Sequence, residues 1–218
     1  ASEGNIEGNP FHRQALEVAQ KAGVDFTLNV AMNDRRQVTG IFAGDLEKAH
    51  AEGCRFVEGS AGAWVDEPAP IVVTSSAGFP LDLTFYQAVK GLTAVLPIVE
   101  ERGTILLVAR CSEGLGGPEF VELLEQTSGM DDFEAKLADP DFFVIDQWQL
   151  QKLCKVLRKA RVCLVSEGVE ASDSRATRFV DVVPNLSEGL QQAYDRHGET
   201  ASVIAVPRGP YVLTRCRP

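Results

Sequence analysis

IVVTSSAGFPLDLTFYQAVKGLTAVLPIVEERGTILLVA, residues 71–109, decides the fold. Ile71–Ser75 is a short, almost continuous apolar run, and Thr104–Ala109 is a second. Between them a turn leads into an amphipathic stretch, Asp82–Leu96, with Asp82 placed to cap a helix. Apolar runs without alternation describe strands buried on both faces, and an intervening helix allows two such strands to lie parallel. The pattern continues downstream. Helices are expected around 118–127, 131–138, 145–160 and 186–197, with strands at Val162–Val165, 179–183 and Ser202–Val206. The expected fold class is α/β, a mainly parallel, doubly wound, Rossmann-like sheet over residues 63–218.

Upstream the pattern differs. Asn9-Pro10 reads as an N-cap and first helical residue, and Gly23 as the end of that helix. DFTLNVA (25–31) and QVTGIFA (37–43) are strand-like and joined by Asn33-Asp34, a hairpin signal. Gly44-Asp45 then opens a short helix expected to stop at Gly53, and the Gly-, Ala- and Pro-rich stretch from Gly59 to Pro70 reads as a junction. Residues 1–62 are thus expected to be a small α/β segment of an incomplete N-terminal domain, too small to fold comfortably alone.

The chain has 218 residues, 44% hydrophobic and 24% charged, the usage of a folded globular protein. No apolar run approaches the roughly 18–20 residues of a membrane helix. A net charge of −10 opposes nucleic-acid binding. Lys152, Lys155, Arg158, Lys159 and Arg161 do cluster, in a pattern that suits a solvated helix end whose charges complement the dipole. Five cysteines, Cys54, Cys111, Cys154, Cys163 and Cys216, are odd in number and lack CxxC spacing. They read as buried thiols of a reducing compartment, and a cytoplasmic location is expected.

Ligands of an open α/β sheet bind beyond the carboxyl ends of its strands. Two loops leave the first two buried strands there: TSSAGFPLD (74–82), with Ser75, Ser76 and Gly78, and CSEGLGGP (111–118), with Gly114 and Gly116. Glu119 stands where GxGxxG requires a third glycine, so a dinucleotide site is weakly supported. Ordinary tight-turn glycines explain the second loop, taken alone, better. On the helix behind the first loop, Tyr86 and Lys90 are four apart and Gln87 and Lys90 three apart, so phenol, amide and ammonium share a patch. Such a patch suits a small carboxylate; the same residues also describe a solvated lysine beside two amphipathic residues at the core edge. His12, His50 and His197 lie on three different predicted helices, and no nucleophile–base or metal-ligand set emerges. His50 and Cys54 would share a face only if their helix continued past Gly53.

PIVVTSSAGFPLDLTFYQAVKGLTAV (70–95), CSEGLGGPEF (111–120) and DQWQLQKL (146–153) together resemble the C-terminal half of the nickel-pincer lactate racemase family. NIEGNPFHRQALEVAQKAGVDFTLNVAMN (5–33) and VTGIFAGDLEKAHAEGC (38–54) are similar to the middle segment of that family. The resemblance implies a two-domain racemase or epimerase of 2-hydroxy acids. Its cofactor is a nickel-pincer nucleotide, which takes the C2 hydrogen as hydride while a histidine takes the hydroxyl proton. It further implies that Lys90 and Gln87 hold the substrate carboxylate, with Tyr86 beside them and Trp148 lining the site. The family's nickel-ligating and catalytic histidines and its cofactor-bearing lysine lie upstream of the segment matching Asn5. No catalytic or metal-ligating residue is therefore expected within this sequence, and Phe79 stands where many relatives have Tyr. The expectation is a substrate-side portion that needs an N-terminal domain and is inactive alone. The alternatives are a noncatalytic small-anion or sugar-acid binding module and a nucleotide-binding α/β domain.

Overall fold

A computed structural model describes residues 3–33 and 35–217. The chain divides into two compact units between Ala63 and Trp64.

In the first unit, α1 (Pro10–Ala22) is capped by the Asn9 side chain and closed by Gly23 in the left-handed region. Strands β1 (Thr27–Met32) and β2 (Val38–Gly44) pair antiparallel. Asn33 organises the turn, its side-chain oxygen accepting from the backbone N–H groups of Arg35 and Gln37; Asp34, the other half of the hairpin signal, lies outside the described residues. Helix α2 runs from Leu46 to Ala61, well past the expected stop at Gly53. Gly53 is a packing residue: a Cβ there would stand 3.1 Å from the Phe42 ring, which fills the space between helix and hairpin. The junction expected over Gly59–Pro70 is likewise ordered, because α2 passes directly into β3 (Gly62–Val65). Among the described residues, Ala31, Phe42 and Ala49 form this unit's buried apolar cluster. Leu28, Val30, Met32, Val38 and Ile41 are exposed on the hairpin.

The second unit is built on five strands: β4 (Ala69–Ser75), β5 (Val99–Val108), β6 (Arg161–Val165), β7 (Asp181–Val183) and β8 (Val203–Val206). They pair in parallel in the order β7-β6-β5-β4-β8. Side-chain alternation divides the apolar content between two faces. Ile71, Leu106 and Cys163 point to one face, where Ala193 and Leu190 of α8 (Leu186–His197) cover them. Val72, Ile105, Leu107, Val162 and Leu164 point to the other. There they meet α3 (Phe85–Val95), α4 (Pro118–Glu125), α5 (Met130–Leu137) and α6 (Gln147–Leu157) through Phe85, Leu92, Phe120, Phe133 and Leu150. Burying each large side chain contributes about 1.5–3 kcal/mol, so this face carries most of the stability. The fold is the expected α/β class. A final strand absent from the sequence reading, β9 (Leu213–Cys216), pairs with β3.

Some boundaries differ from expectation. Thr84, not Asp82, caps α3, accepting from Gln87 N–H at 3.2 Å, while Asp82 is buried and its carbonyl accepts from Cys111 N–H. Helix α6 begins at Gln147 because Asp146 sits at φ +67°. All five cysteines are free, yet only Cys111, Cys154 and Cys163 are buried; Cys54 and Cys216 are partly exposed. Burial pushes the three inner thiols up to about 11, 12 and 11. The basic cluster is dispersed by pairing: Arg158 with Glu134, Lys159 with the Leu96 carbonyl, Arg161 with Asp181, and Lys152 over the Trp148 ring. No helix among the described residues is long and apolar enough to cross a membrane.

Candidate functional site

Strand β4 is where the winding reverses, with β5 on one side and the late-returning β8 on the other. The segment leaving its carboxyl end leads into α3, which presents the predicted patch. The second loop and the Thr84 cap fix the start of that helix. Phe85 N–H donates to the Gly114 carbonyl at 3.0 Å, Tyr86 N–H to the Leu115 carbonyl at 2.9 Å, and Gln87 N–H to Thr84. The first turn of α3 is therefore already satisfied, leaving none of these three amides for an anion. In the glycine loop, Glu113 N–H donates to the Leu83 carbonyl and Gly114 N–H to the Cys111 carbonyl. Gly116, at φ +143°, allows close contact, since a Cβ there would stand 2.9 Å from Tyr86 Cβ. The loop's carbonyls and missing side chains brace a helix, an arrangement unlike a phosphate cradle.

The serines of the first loop divide. Ser75 Oγ donates to the Pro207 carbonyl at 2.5 Å and accepts from Ala77 N–H at 2.9 Å, so it is engaged within the fold. Ser76 Oγ is buried without a partner among the described residues. The Gly78 carbonyl accepts from Leu81 and Asp82 N–H, forming the turn, and Phe79 projects into solvent with 82% of its surface exposed.

Lys90 and Gln87 are brought together. Lys90 Nζ donates to Gln87 Oε1 at 2.6 Å, and both side chains are half-buried. With its oxygen accepting from the ammonium, the Gln87 amide keeps two N–H donors. The pair is thus rich in donors: two remaining ammonium protons and two amide protons, a complement to the two oxygens of a carboxylate. Tyr86 faces a different neighbour. Its hydroxyl donates to Asp146 Oδ1 at 2.8 Å. Burial first, and then the bond and charge of Asp146, push the phenol up to about 12, with Trp148 opposing. The Tyr86 ring meets Trp148 edge-to-face at 5.9 Å and Phe120 at 5.2 Å. Gln149, fully buried on α6, donates to the Tyr86 carbonyl and so fastens α6 to α3. Lys90, Gln87, Tyr86 and Trp148 thus belong to one region of α3 and the start of α6. Asp146 has no sequence signal of its own, since an acidic residue just before a helix reads as an N-cap.

His12, His50 and Cys54 lie together in the first unit, with the two rings stacked at 5.0 Å and Cys54 Sγ 3.7 Å from His50 Nε2. No group of three His, Cys, Asp or Glu side chains among the described residues is arranged to hold a metal ion.

Residues 65–214 match the family described as the lactate racemase C-terminal domain. The chain is 33% identical over 217 residues to a lactate racemase of Thermoanaerobacterium thermosaccharolyticum, covering 99% of this chain and 50% of that protein. It is 34% identical over 218 residues to a lactate racemase of Lactiplantibacillus plantarum, covering 99% and 51%. The chain therefore spans about half the length of these curated relatives. A solved structure of the lactate racemase apoprotein from Thermoanaerobacterium thermosaccharolyticum superposes with a TM-score of 0.89 at 32% identity, over 96% of this chain and 50% of that one. A crystal structure of a Thermotoga maritima protein, 14% identical with a TM-score of 0.65 over 94% of this chain and 52% of that one, shares the fold alone. The protein belongs to the lactate racemase C-terminal domain family.

Proposed function

We propose that this chain is the substrate-holding half of a racemase or epimerase of 2-hydroxy acids. The observation that carries the reading is the donor-rich, hydrogen-bonded pair of Lys90 and Gln87 on a helix whose start is locked by main-chain bonds. Inverting C2 through a planar 2-keto acid requires the carboxylate to stay fixed while the reacting carbon turns. A rigid two-residue clasp does that. Tyr86 and Trp148 supply an aromatic wall beside it, and the fixed glycine loop keeps that wall in place.

A nickel-pincer nucleotide, bound in the complete enzyme, would supply the hydride acceptor. The family resemblance puts the cofactor's ligands outside this chain, and the glycine-loop amides named above are tied within the fold. On this reading the cofactor site and the proton-transferring groups are supplied by the remainder of the protein. The first unit fits this division. Its small core and the exposed Leu28, Val30, Met32, Val38 and Ile41 describe part of a domain whose apolar face is covered by further chain. Five free thiols suit a reducing, cytoplasmic setting.

The test is Lys90→Ala in the full-length enzyme. Loss of a charge-assisted contact of about 1.5–3 kcal/mol should lower kcat/KM roughly tenfold to a hundredfold, with KM rising. Unchanged kcat and KM overturn the reading.

A further inference from the structure

We propose that Asp146 is a positioning residue that sets specificity: bonded to the Tyr86 phenol, its carboxylate holds a negative charge beside the aromatic end of the site. It thereby turns away substrates with a second carboxylate. The inference rests on Lys90 and Gln87 being the substrate clasp, and it narrows the substrate to 2-hydroxy acids with an uncharged side chain.

The placement of Asp146 is unusual for its type. It directly precedes α6, where aspartate ordinarily accepts from the helix's first amides, yet its side chain makes no such bond. Its backbone is in the left-handed region at φ +67°, which asparagine and aspartate enter more readily than other non-glycine residues. The carboxylate reaches across to α3 instead and accepts from Tyr86 Oη at 2.8 Å. That phenol is immobilised by Phe120 and Trp148 at its edges and by Gly116 against its Cβ. Its only O–H is spent on Asp146, and the Trp148 indole bonds to its oxygen, so the phenol offers the site no proton. One helical turn away stands the Lys90 ammonium. A substrate seated with its carboxylate on Lys90 extends its side chain toward Tyr86, Trp148 and Asp146. A neutral side chain packs on the aromatic wall. A second carboxylate meets a like charge. Across roughly 6 Å at an effective dielectric of about 40, that repulsion is worth about tenfold in affinity. Lys152 lies over the Trp148 ring, 5.8 Å from its centre, and if its charge governed this end the preference would reverse.

Two measurements decide it. With ring-labelled tyrosine in this chain, the three tyrosines are assigned by single Tyr→Phe changes and the Tyr86 Cζ resonance is followed by NMR. Asp146→Asn should move that resonance toward the exposed-tyrosine position, and Asp146→Glu should restore it; an unmoved resonance overturns the positioning role. In the full-length enzyme, the ratio of KM for a 2-hydroxy dicarboxylate to KM for a 2-hydroxy monocarboxylate should fall about tenfold in Asp146→Asn. Tyr86→Phe should lower the same ratio, because the freed carboxylate can turn back to its own helix. An unchanged ratio, or a parent enzyme that prefers the dicarboxylate, overturns the specificity role. Lys90→Ala separates the two claims, since it should raise both KM values alike. If it raises neither, the clasp itself is refuted, whatever Asp146 does.

Discussion

Gly91 follows Lys90 on α3, and replacing it with alanine tests whether the clasp is seated by close contact with the sheet. A Cβ at Gly91 would stand 2.9 Å from the Ser75 carbonyl oxygen and 3.2 Å from Leu107 Cδ1. The first neighbour is backbone at the end of a central strand and cannot rotate away. The helix cannot easily slide either, because its first amides are bonded to Gly114, Leu115 and Thr84. Alanine gains about 1 kcal/mol in helix propensity. Forcing a methyl group into a closed contact costs about 1–3 kcal/mol. With backbone as the obstacle the upper part of that range applies, leaving a net loss of about 1–2 kcal/mol. A domain of this size should then melt about 2–8 °C lower. Urea unfolding followed by circular dichroism measures the difference. Gly59→Ala is the matched control: Gly59 lies in α2, and nothing stands within 4 Å of its added Cβ. There the propensity gain is unopposed, and the first unit should become about 0.5–1 kcal/mol more stable. If Gly91→Ala is as stable as the parent, the close seating of α3 is wrong and the argument for a rigid clasp loses its footing.

Two further predictions concern pH. His197 Nε2 lies 2.8 Å from Thr104 Oγ1, and burial, helped by Arg196, holds its pKa below the usual histidine value. The folded state therefore favours neutral imidazole: its contribution is complete above about pH 6.5 and is lost as pH falls from there through the lower folded value. His197→Gln should flatten stability between about pH 7 and 5 in urea titrations, and an unchanged slope contradicts this. Asp173 caps α7 (Ser174–Thr177) and is held below the ordinary carboxylate range, first by its bond to Arg175. Its stabilisation is complete above about pH 4 and lost as pH falls through the depressed folded value, so Asp173→Ala should cost about 1 kcal/mol at pH 7 and progressively less in acid. An equal cost at both pH values counts against it.

The parallel sheet was legible because Ile71–Ser75 and Thr104–Ala109 are apolar without alternation, and burial on both faces of a sheet produces that pattern. The glycines were harder to read. Gly53 resembles a helix stop, and only the position of the Phe42 ring, fixed by the hairpin, explains a glycine inside α2. Asp82 and Thr84 are both competent caps two residues apart; the choice falls to Thr84 because Asp82 is committed to the turn bonded to Gly78 and Cys111. Strand β9 was missed because LTRC is short and has no apolar run, and its pairing with β3 depends on a contact across most of the chain. The adjacency of Lys90 and Gln87 follows from helical spacing alone. The direction of the Tyr86 hydroxyl does not, since it is set by Asp146, sixty residues away in sequence.

That separation bears on how the site keeps its shape. Each part of the patch is fixed by a segment other than its own: α3 by carbonyls of the loop after β5, Tyr86 by Asp146 at the head of α6, and the α3–α6 contact by Gln149 bonding to the Tyr86 carbonyl. The two arms of the patch therefore have different mechanical origins. Lys90 and Gln87 depend on one helix and will keep their relation wherever α3 is intact. The aromatic arm depends on the register between α3 and α6. Changes in α6 or its approach should alter which side chains a substrate carries while sparing the carboxylate clasp. Changes at the Gly91 contact should disturb the clasp first, because that contact sets the height of α3 above the strand.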